Sequence, residues 1–98
     1  MSTNGFIYVG TDLKMKIPDR VLDATWKGFW EDVNRKLRLH FEDAEGEELQ
    51  GKKLLRFTEM ASAYANQMEP GPNRDVMMEF AQLCFRLSSE GAKVWVQT

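Results

Sequence analysis

The sequence predicts an α+β fold, with three helices packed on a small antiparallel sheet formed by N-terminal strands and a C-terminal strand. Apolar residues recur at steps of three and four in three long stretches, which is typical of helices with one buried face. Short β-prone runs lie near both ends, at residues 6–9 and 93–97. With 98 residues, the chain has the length of one domain, which we assign to residues 1–98.

The N-terminal β-prone runs predict a hairpin. Residues 6–9 are apolar or aromatic, a turn-forming Gly-Thr-Asp sequence follows, and residues 13–17 alternate between apolar side chains and lysines. Lys14 and Lys16 on the open face suit an edge strand, because charge there discourages pairing with other chains. Because both ends of the chain are β-prone, we expect the strand at residues 93–97 to join the same sheet.

The first helix is predicted over residues 18–41. Pro18 suits its first position, where the missing N–H has no helical partner. The apolar stripe of this helix consists of Leu22, Trp26, Phe29, Val33 and Leu37, widened by Trp30 and Phe41. Residues 36–42 also alternate like a strand, but a continuing helix is favoured because Phe41 extends the stripe and no helix breaker intervenes.

An acidic connection and two further helices complete the predicted fold. Residues 42–48 contain five acids and a glycine and predict a solvated connection. A second helix is predicted over residues 51–68, where a Glu-Pro-Gly-Pro sequence must end it. A third helix is predicted over residues 73–89, with Asn73 as its N-cap and Gly91 in its C-terminal cap. Its apolar residues cover more than one stripe, so we expect it to be the most buried helix.

Composition and charge narrow the functional classes. The net charge of −2 argues against a general nucleic-acid binder, which usually carries a basic excess. The single cysteine, Cys84, excludes an internal disulfide and favours a reducing compartment. The N-terminus has no signal-peptide pattern, and the apolar runs are far too short to cross a bilayer. We therefore expect a cytoplasmic protein with no membrane association.

No stretch of the sequence predicts an active site, a metal site or a cofactor site. His40 is the only histidine, and one histidine beside several acids is not a zinc spacing. Cys84 lies among apolar residues, which predicts a buried and unreactive thiol. The acidic run at residues 42–48 lacks the alternating ligand pattern of a calcium loop. These observations predict a non-enzymatic protein with no cofactor.

One short stretch suggests a different function. Residues 13–22, Leu-Lys-Met-Lys-Ile-Pro-Asp-Arg-Val-Leu, resemble the opening of ribbon-helix-helix DNA-binding proteins, in which a strand leads through a proline into a first helix. The resemblance covers about a tenth of the chain. It implies a dimeric transcriptional regulator with Lys14 and Lys16 facing the major groove. That family's first helix is short, whereas the helical pattern here continues past Gly28, and the acidic net charge disfavours nucleic acid as a partner.

The function favoured by elimination is binding to another protein, as a foreign partner or as a second copy in a homodimer. An aromatic stripe is normally core, but the first helix carries more aromatic area than a small domain easily covers. We therefore expect Trp30 to lean outward as the anchor of a contact surface while Trp26 stays inside. The polar rim of this predicted surface consists of Lys27, Glu31, Arg35 and Arg38. In size the chain looks like accessory or inhibitor proteins of phages or mobile elements that modulate a host protein.

Overall fold

The computed structural model describes residues 4–42 and 45–98, and within them it confirms the α+β fold. Three helices pack on one four-stranded antiparallel sheet. The strands are β1 (Gly5–Val9), β2 (Asp12–Ile17), β3 (Gly46–Leu49) and β4 (Val94–Gln97). The first helix, α1, consists of an α-helical segment (Asp19–Thr25), a π-helical turn (Trp26–Trp30) and a second α-helical segment (Glu31–Leu37). The other helices are α2 (Gly51–Gln67) and α3 (Pro72–Ser89).

The sheet has the strand order β2-β1-β4-β3. The predicted hairpin forms between β1 and β2, and the two ends of the chain pair as expected, with Ile7 of β1 opposite Val96 of β4. The prediction of a solvated connection over residues 42–48 is wrong where β3 pairs with β4, with Leu49 opposite Val94. Two residues of that predicted connection, Asp43 and Ala44, lie outside the described residues.

The π-helical turn in α1 overturns the expected orientation of the two tryptophans. The N–H of Glu31 donates to the carbonyl of Trp26, five residues earlier, so this turn holds one residue more than an α-helical turn. Trp30 therefore follows the buried Thr25 by one full turn and faces the core. It is 0% exposed, whereas Trp26 is half-buried. The expectation that Trp30 leans outward while Trp26 stays inside is wrong.

Helix α1 ends at Leu37, so the predicted continuation to residue 41 is also wrong. Arg38 adopts the left-handed conformation (φ 56°), and the N–H of Leu39 donates to the carbonyl of Asn34 across the helix end. The side chain of Asn34 then holds the following loop through two hydrogen bonds. Its Nδ2 donates to the carbonyl of Phe41, and its Oδ1 accepts from the N–H of Phe41. Phe41 thus reaches the core from a loop.

The second and third helices form close to the predicted positions, because their sequences carry both the helical period and the breakers. Helix α3 begins at Pro72 with Gly71 as its N-cap, two residues before the predicted cap at Asn73. Its C-terminal end is closed as predicted by Gly91 (φ 72°), whose N–H donates to the carbonyl of Ser88.

Aromatic side chains form the centre of the core between the helices and the sheet. The largest fully buried side chains are Trp30, Phe29, Phe41, Phe57 and Phe80. The ring of Trp30 meets those of Phe29 and Phe41 edge to face, with centroids 4.9 Å and 5.0 Å away. Such pairs add to the stabilisation that burial itself provides. The domain itself therefore covers most of the aromatic area of α1 that the sequence assigned partly to a partner, and Trp26 is half-buried.

Candidate functional site

The sheet has one face against the helices and one face away from them. Ile7, Val94 and Val96 are fully buried on the helix side, so the residues alternating with them point to the opposite side. We call that second side the open sheet face. It consists of Phe6, Tyr8, Leu13, Lys16, Glu48, Trp95 and Gln97. Among the described residues, no helix covers it.

The pairing register arranges the open sheet face in two rows across the strands. In the first row Tyr8 lies opposite Leu13 on one side and Trp95 on the other, and Trp95 lies opposite Glu48. In the second row, the order across the four strands is Lys16, Phe6, Gln97 and Gly46. Three aromatic rings and a leucine are thus neighbours on one surface.

Several of these side chains are well exposed and fixed in position. Leu13 is 53% exposed and Trp95 is 39% exposed. The Trp95 indole lies over the backbone of Gly46, where an added Cβ would be only 2.7 Å from its Cζ2 atom. Its Nε1 donates to the Oε1 of Gln97 at 3.2 Å. Since a positioned aromatic ring loses little conformational freedom on binding, Trp95 is suited to anchor a partner.

The charges of the open sheet face lie at its two edges and nearly cancel. Lys16 is on the edge strand β2 and Glu48 is on the opposite edge strand β3. Lys93 lies beside Glu48 and Trp95 in a shallow depression of about 460 Å³. This surface is apolar in its centre and polar at its rim, which is the general anatomy of protein interfaces.

The sequence predicts an aromatic anchor on α1 and lysines on an edge strand, but not the open sheet face. A signal was present, because Phe6 and Tyr8 alternate with Ile7, and Trp95 stands between Val94 and Val96. Both strands therefore carry apolar residues on both faces, and an antiparallel sheet with one solvated face normally does not.

The predicted contact surface on α1 lacks its anchor. The Nε1 of Trp30 donates to the Oγ1 of Thr25 at 3.1 Å inside the core, so Trp30 cannot contact a partner in this fold. The predicted rim residues Lys27, Glu31, Arg35 and Arg38 are exposed. Arg35 forms an ion pair with Asp32, which also pairs with Lys36 at 3.3 Å. A role of these four rim residues in partner binding stays a prediction. The aromatic residue expected at the centre of that surface, Trp30, is buried.

A second exposed apolar feature lies on the outer side of the helix pair α2 and α3. Phe85 is 62% exposed there and borders a groove of about 400 Å³. Polar side chains from both helices, including Ser62, Asn66 and Gln82, share the lining of this groove. Met78 and Ala81 also line the groove beside Phe85, so this surface has an apolar part with one exposed ring, whereas the open sheet face has three adjacent rings.

The lysine pair implied by the ribbon-helix-helix resemblance does not share one face. A β-bulge between Ile7 and Tyr8 leaves Lys14 without a partner in the register, because Met15 and Leu13 pair with those two residues. Lys14 lines a depression toward α3 together with Glu79 and Arg86, while Lys16 lies opposite Phe6 on the open sheet face. Lys14 and Lys16 therefore do not lie side by side on one surface of β2.

We predict that the protein forms no specific complex with duplex DNA. Non-specific binding should be weak and should disappear at moderate salt, because few phosphates would be neutralised. A gel-shift titration with mixed-sequence duplexes at low and moderate salt measures this. A tight complex that is lost in the Lys14→Ala/Lys16→Ala variant would restore the DNA-binding interpretation.

The histidine and the acidic side chains that the structure describes do not gather into a metal-binding cluster. Within residues 4–42 and 45–98, no group of three or more His, Cys, Asp or Glu residues could hold a metal ion. The backbone N–H of the exposed His40 donates to the Oε2 of Glu47, which ties the loop after α1 to strand β3. In the same part of the chain, no helix combines the length and apolar character needed to cross a membrane.

Comparison with known proteins gives no match to a protein family, to a curated protein or to a solved structure.

Cys84 is fully buried on α3, and burial raises the pKa of its thiol from 9.0 to about 12. We therefore expect slow reaction with a thiol reagent in the native protein and fast reaction after unfolding in urea.

The same burial makes the free energy of unfolding depend on pH. As the pH rises, the thiol of the unfolded chain loses its proton before the buried thiol does. The stability associated with the neutral thiol is therefore present below pH 9.0 and lost as the pH rises toward about 12. Labelling rates and melts between these pH values measure both effects, and rapid native labelling would contradict this placement.

Proposed function

We propose that this chain is a non-enzymatic protein-binding module whose contact surface is the open sheet face. The proposal is supported by a cluster of apolar side chains on the side of the sheet that no described helix covers. The cluster consists of Phe6, Tyr8, Leu13 and Trp95. Contiguous exposed apolar patches on small domains mark interaction sites. Tryptophan and tyrosine are also enriched among the residues that contribute most to binding energy.

Charge favours a protein over a nucleic acid as the partner. Bases can stack on aromatic rings of a sheet, but binding of a single strand also needs a positive groove along its backbone. Here Lys16 and Lys93 are accompanied by Glu48, and the whole chain carries a net charge of −2. A protein surface with its own apolar centre and mixed charges fits this face better.

The finer role of the module remains a prediction from size and composition. An accessory or inhibitor protein of a phage or mobile element, acting on a host protein in the cytoplasm, would use a contact surface of this kind. The open sheet face gives that role a physical basis for binding, because it offers rigid aromatic groups on a rigid element.

Site-specific photo-cross-linking in cells that produce the chain tests the proposal. The photoreactive residue p-benzoylphenylalanine replaces Leu13 on the open sheet face or, as a matched control, the exposed Leu55 on α2. We expect a protein adduct from position 13 and none from position 55. The adduct should be lost when Trp95→Ser is added, and it should persist with Phe85→Ser, which also removes an exposed ring.

Two outcomes would overturn the proposed contact surface. One is cross-linking from position 55 that is at least as strong as from position 13. The other is an adduct at position 13 that is unaffected by Trp95→Ser but lost with Phe85→Ser, which would place binding on the helix pair. Circular dichroism of each variant establishes that the fold is retained, as expected for substitutions at exposed positions.

A further inference from the structure

We propose that a second copy of this chain covers the open sheet face, with the two sheets packed face to face about a two-fold axis parallel to the strands. This inference rests on the proposed function and names its partner. It depends on the order of side chains across the sheet and on the charges at its two edges.

The two-fold axis decides which strands meet. A rotation about an axis parallel to the strands reverses the strand order and keeps each position along the strands. Strand β1 of one copy then lies on β4 of the other, and β2 lies on β3. The ring of Tyr8 meets the indole of Trp95 of the second copy, and the same contact forms twice by symmetry.

The same rotation pairs opposite charges across the interface. Within one copy Lys16 and Glu48 lie on opposite edge strands, three strand spacings or about 14 Å apart, so they cannot pair. In the dimer Lys16 lies over Gly46 of the second copy, two residues or about 7 Å along β3 from Glu48. A lysine side chain spans that distance. The extended lysine side chain passes over the Trp95 indole that covers Gly46. An ammonium group above an aromatic ring is attracted to it, which also favours this arrangement.

The other axis in the plane of the sheet, perpendicular to the strands, gives a worse charge arrangement. It places β2 on β2 and β3 on β3, so the Lys16 side chains of the two copies become neighbours, as do the two Glu48 side chains. Like charges facing each other in an interface are unfavourable. The Lys16–Glu48 contact therefore favours the axis parallel to the strands. This axis also places Leu13 over Glu48 of the second copy, and Lys93 lies beside Glu48 with either axis.

The size of the face predicts a reversible dimer. Four strands at about 4.8 Å and about five residues at 3.3 Å give roughly 300 Å² of flat sheet per copy. Side-chain relief makes the accessible area larger than this flat footprint, but the face still lies at the small end of specific interfaces, which bury about 800 Å² per partner. Dimerisation should therefore depend on protein concentration in the range used for sedimentation.

Sedimentation equilibrium of the full chain with two charge reversals tests the arrangement. In about 0.15 M salt, which screens long-range repulsion, wild type should be in monomer–dimer equilibrium. Lys16→Glu alone and Glu48→Lys alone should each weaken dimerisation by about tenfold or more, because both symmetric contacts become repulsive. An equimolar mixture of the two variants should regain wild-type affinity as a heterodimer, because every contact then joins opposite charges.

A control variant and three contradicting results separate the dimer from the proposed function. Phe85→Ser should dimerise like wild type, because Phe85 lies outside the face. A dimer whose two charge variants do not rescue each other would overturn the arrangement. A monomeric wild type whose position-13 cross-linker captures a foreign protein would overturn the dimer and keep the proposed function. Binding of a single-stranded oligonucleotide that is lost with Trp95→Ser, without any protein adduct, would overturn both.

Discussion

Trp30→Ala is expected to destabilise the fold by about 3–5 kcal/mol, the range measured when a buried large aromatic side chain is removed. Trp30 is 0% exposed and touches the rings of Phe29, Phe41 and Phe80. The substitution leaves a cavity among these rings. It also removes the N–H that donates to the Oγ1 of Thr25. Because small domains are stable by only about 5–15 kcal/mol, this loss removes a large share of the free energy of unfolding.

The matched control is Trp26→Ala in the same π-helical turn. Its side chain is half-buried and stacks on Trp30 with ring centroids 6.2 Å apart, so a clearly smaller loss is expected. Urea melts of both variants, followed by circular dichroism, give the two free energies of unfolding. Equal losses, or a loss below about 1 kcal/mol for Trp30→Ala, would contradict the core position of Trp30 and would revive α1 as the contact surface.

Phe80→Ala is expected to destabilise the fold by a similar amount, about 3–5 kcal/mol. Phe80 is 0% exposed and meets Phe57 edge to face with centroids 5.7 Å apart, and Phe29 at 6.4 Å. It joins α3 to rings from α1 and α2, so the loss affects the contacts of all three helices. The free energy of unfolding from a urea melt measures it.

Phe85→Ala is the control on the same helix. Phe85 is exposed, so its removal should change the free energy of unfolding by no more than about 0.5 kcal/mol. A small loss for Phe80→Ala together with a large loss for Phe85→Ala would mean that α3 is rotated about its axis. The groove on the outer side of the helix pair would then be part of the core.

The sequence does not predict the open sheet face, although the alternation of the side chains that form it can be read from the sequence. The alternation in residues 6–9 and 93–97 places Phe6, Tyr8 and Trp95 on one side of their strands. Which strands pair, and in which register, depends on contacts between residues far apart in the chain. The β-bulge that turns Lys14 away from Lys16 also arises only when β1 and β2 pair.

The sequence by itself determined the features that depend on neighbouring residues. The hairpin, the strand at the C-terminal end, the helices α2 and α3, and the cap at Gly91 follow from local periodicity, breakers and turn residues. The pairing of the two ends was also predictable, because β-prone segments need a hydrogen-bonding neighbour.

Only the tertiary structure decided the features that depend on packing. The π-helical turn of α1 brings Gly28 so close to α2 that an added Cβ would be 2.7 Å from the Tyr64 Oη, a contact absent from an isolated helix. Strand β3 exists because β4, almost fifty residues later, supplies its hydrogen bonds. Trp30 is buried, and the open sheet face is exposed, because the helices cover one side of the sheet only. Local sequence cannot encode which of two apolar faces the rest of the chain will cover.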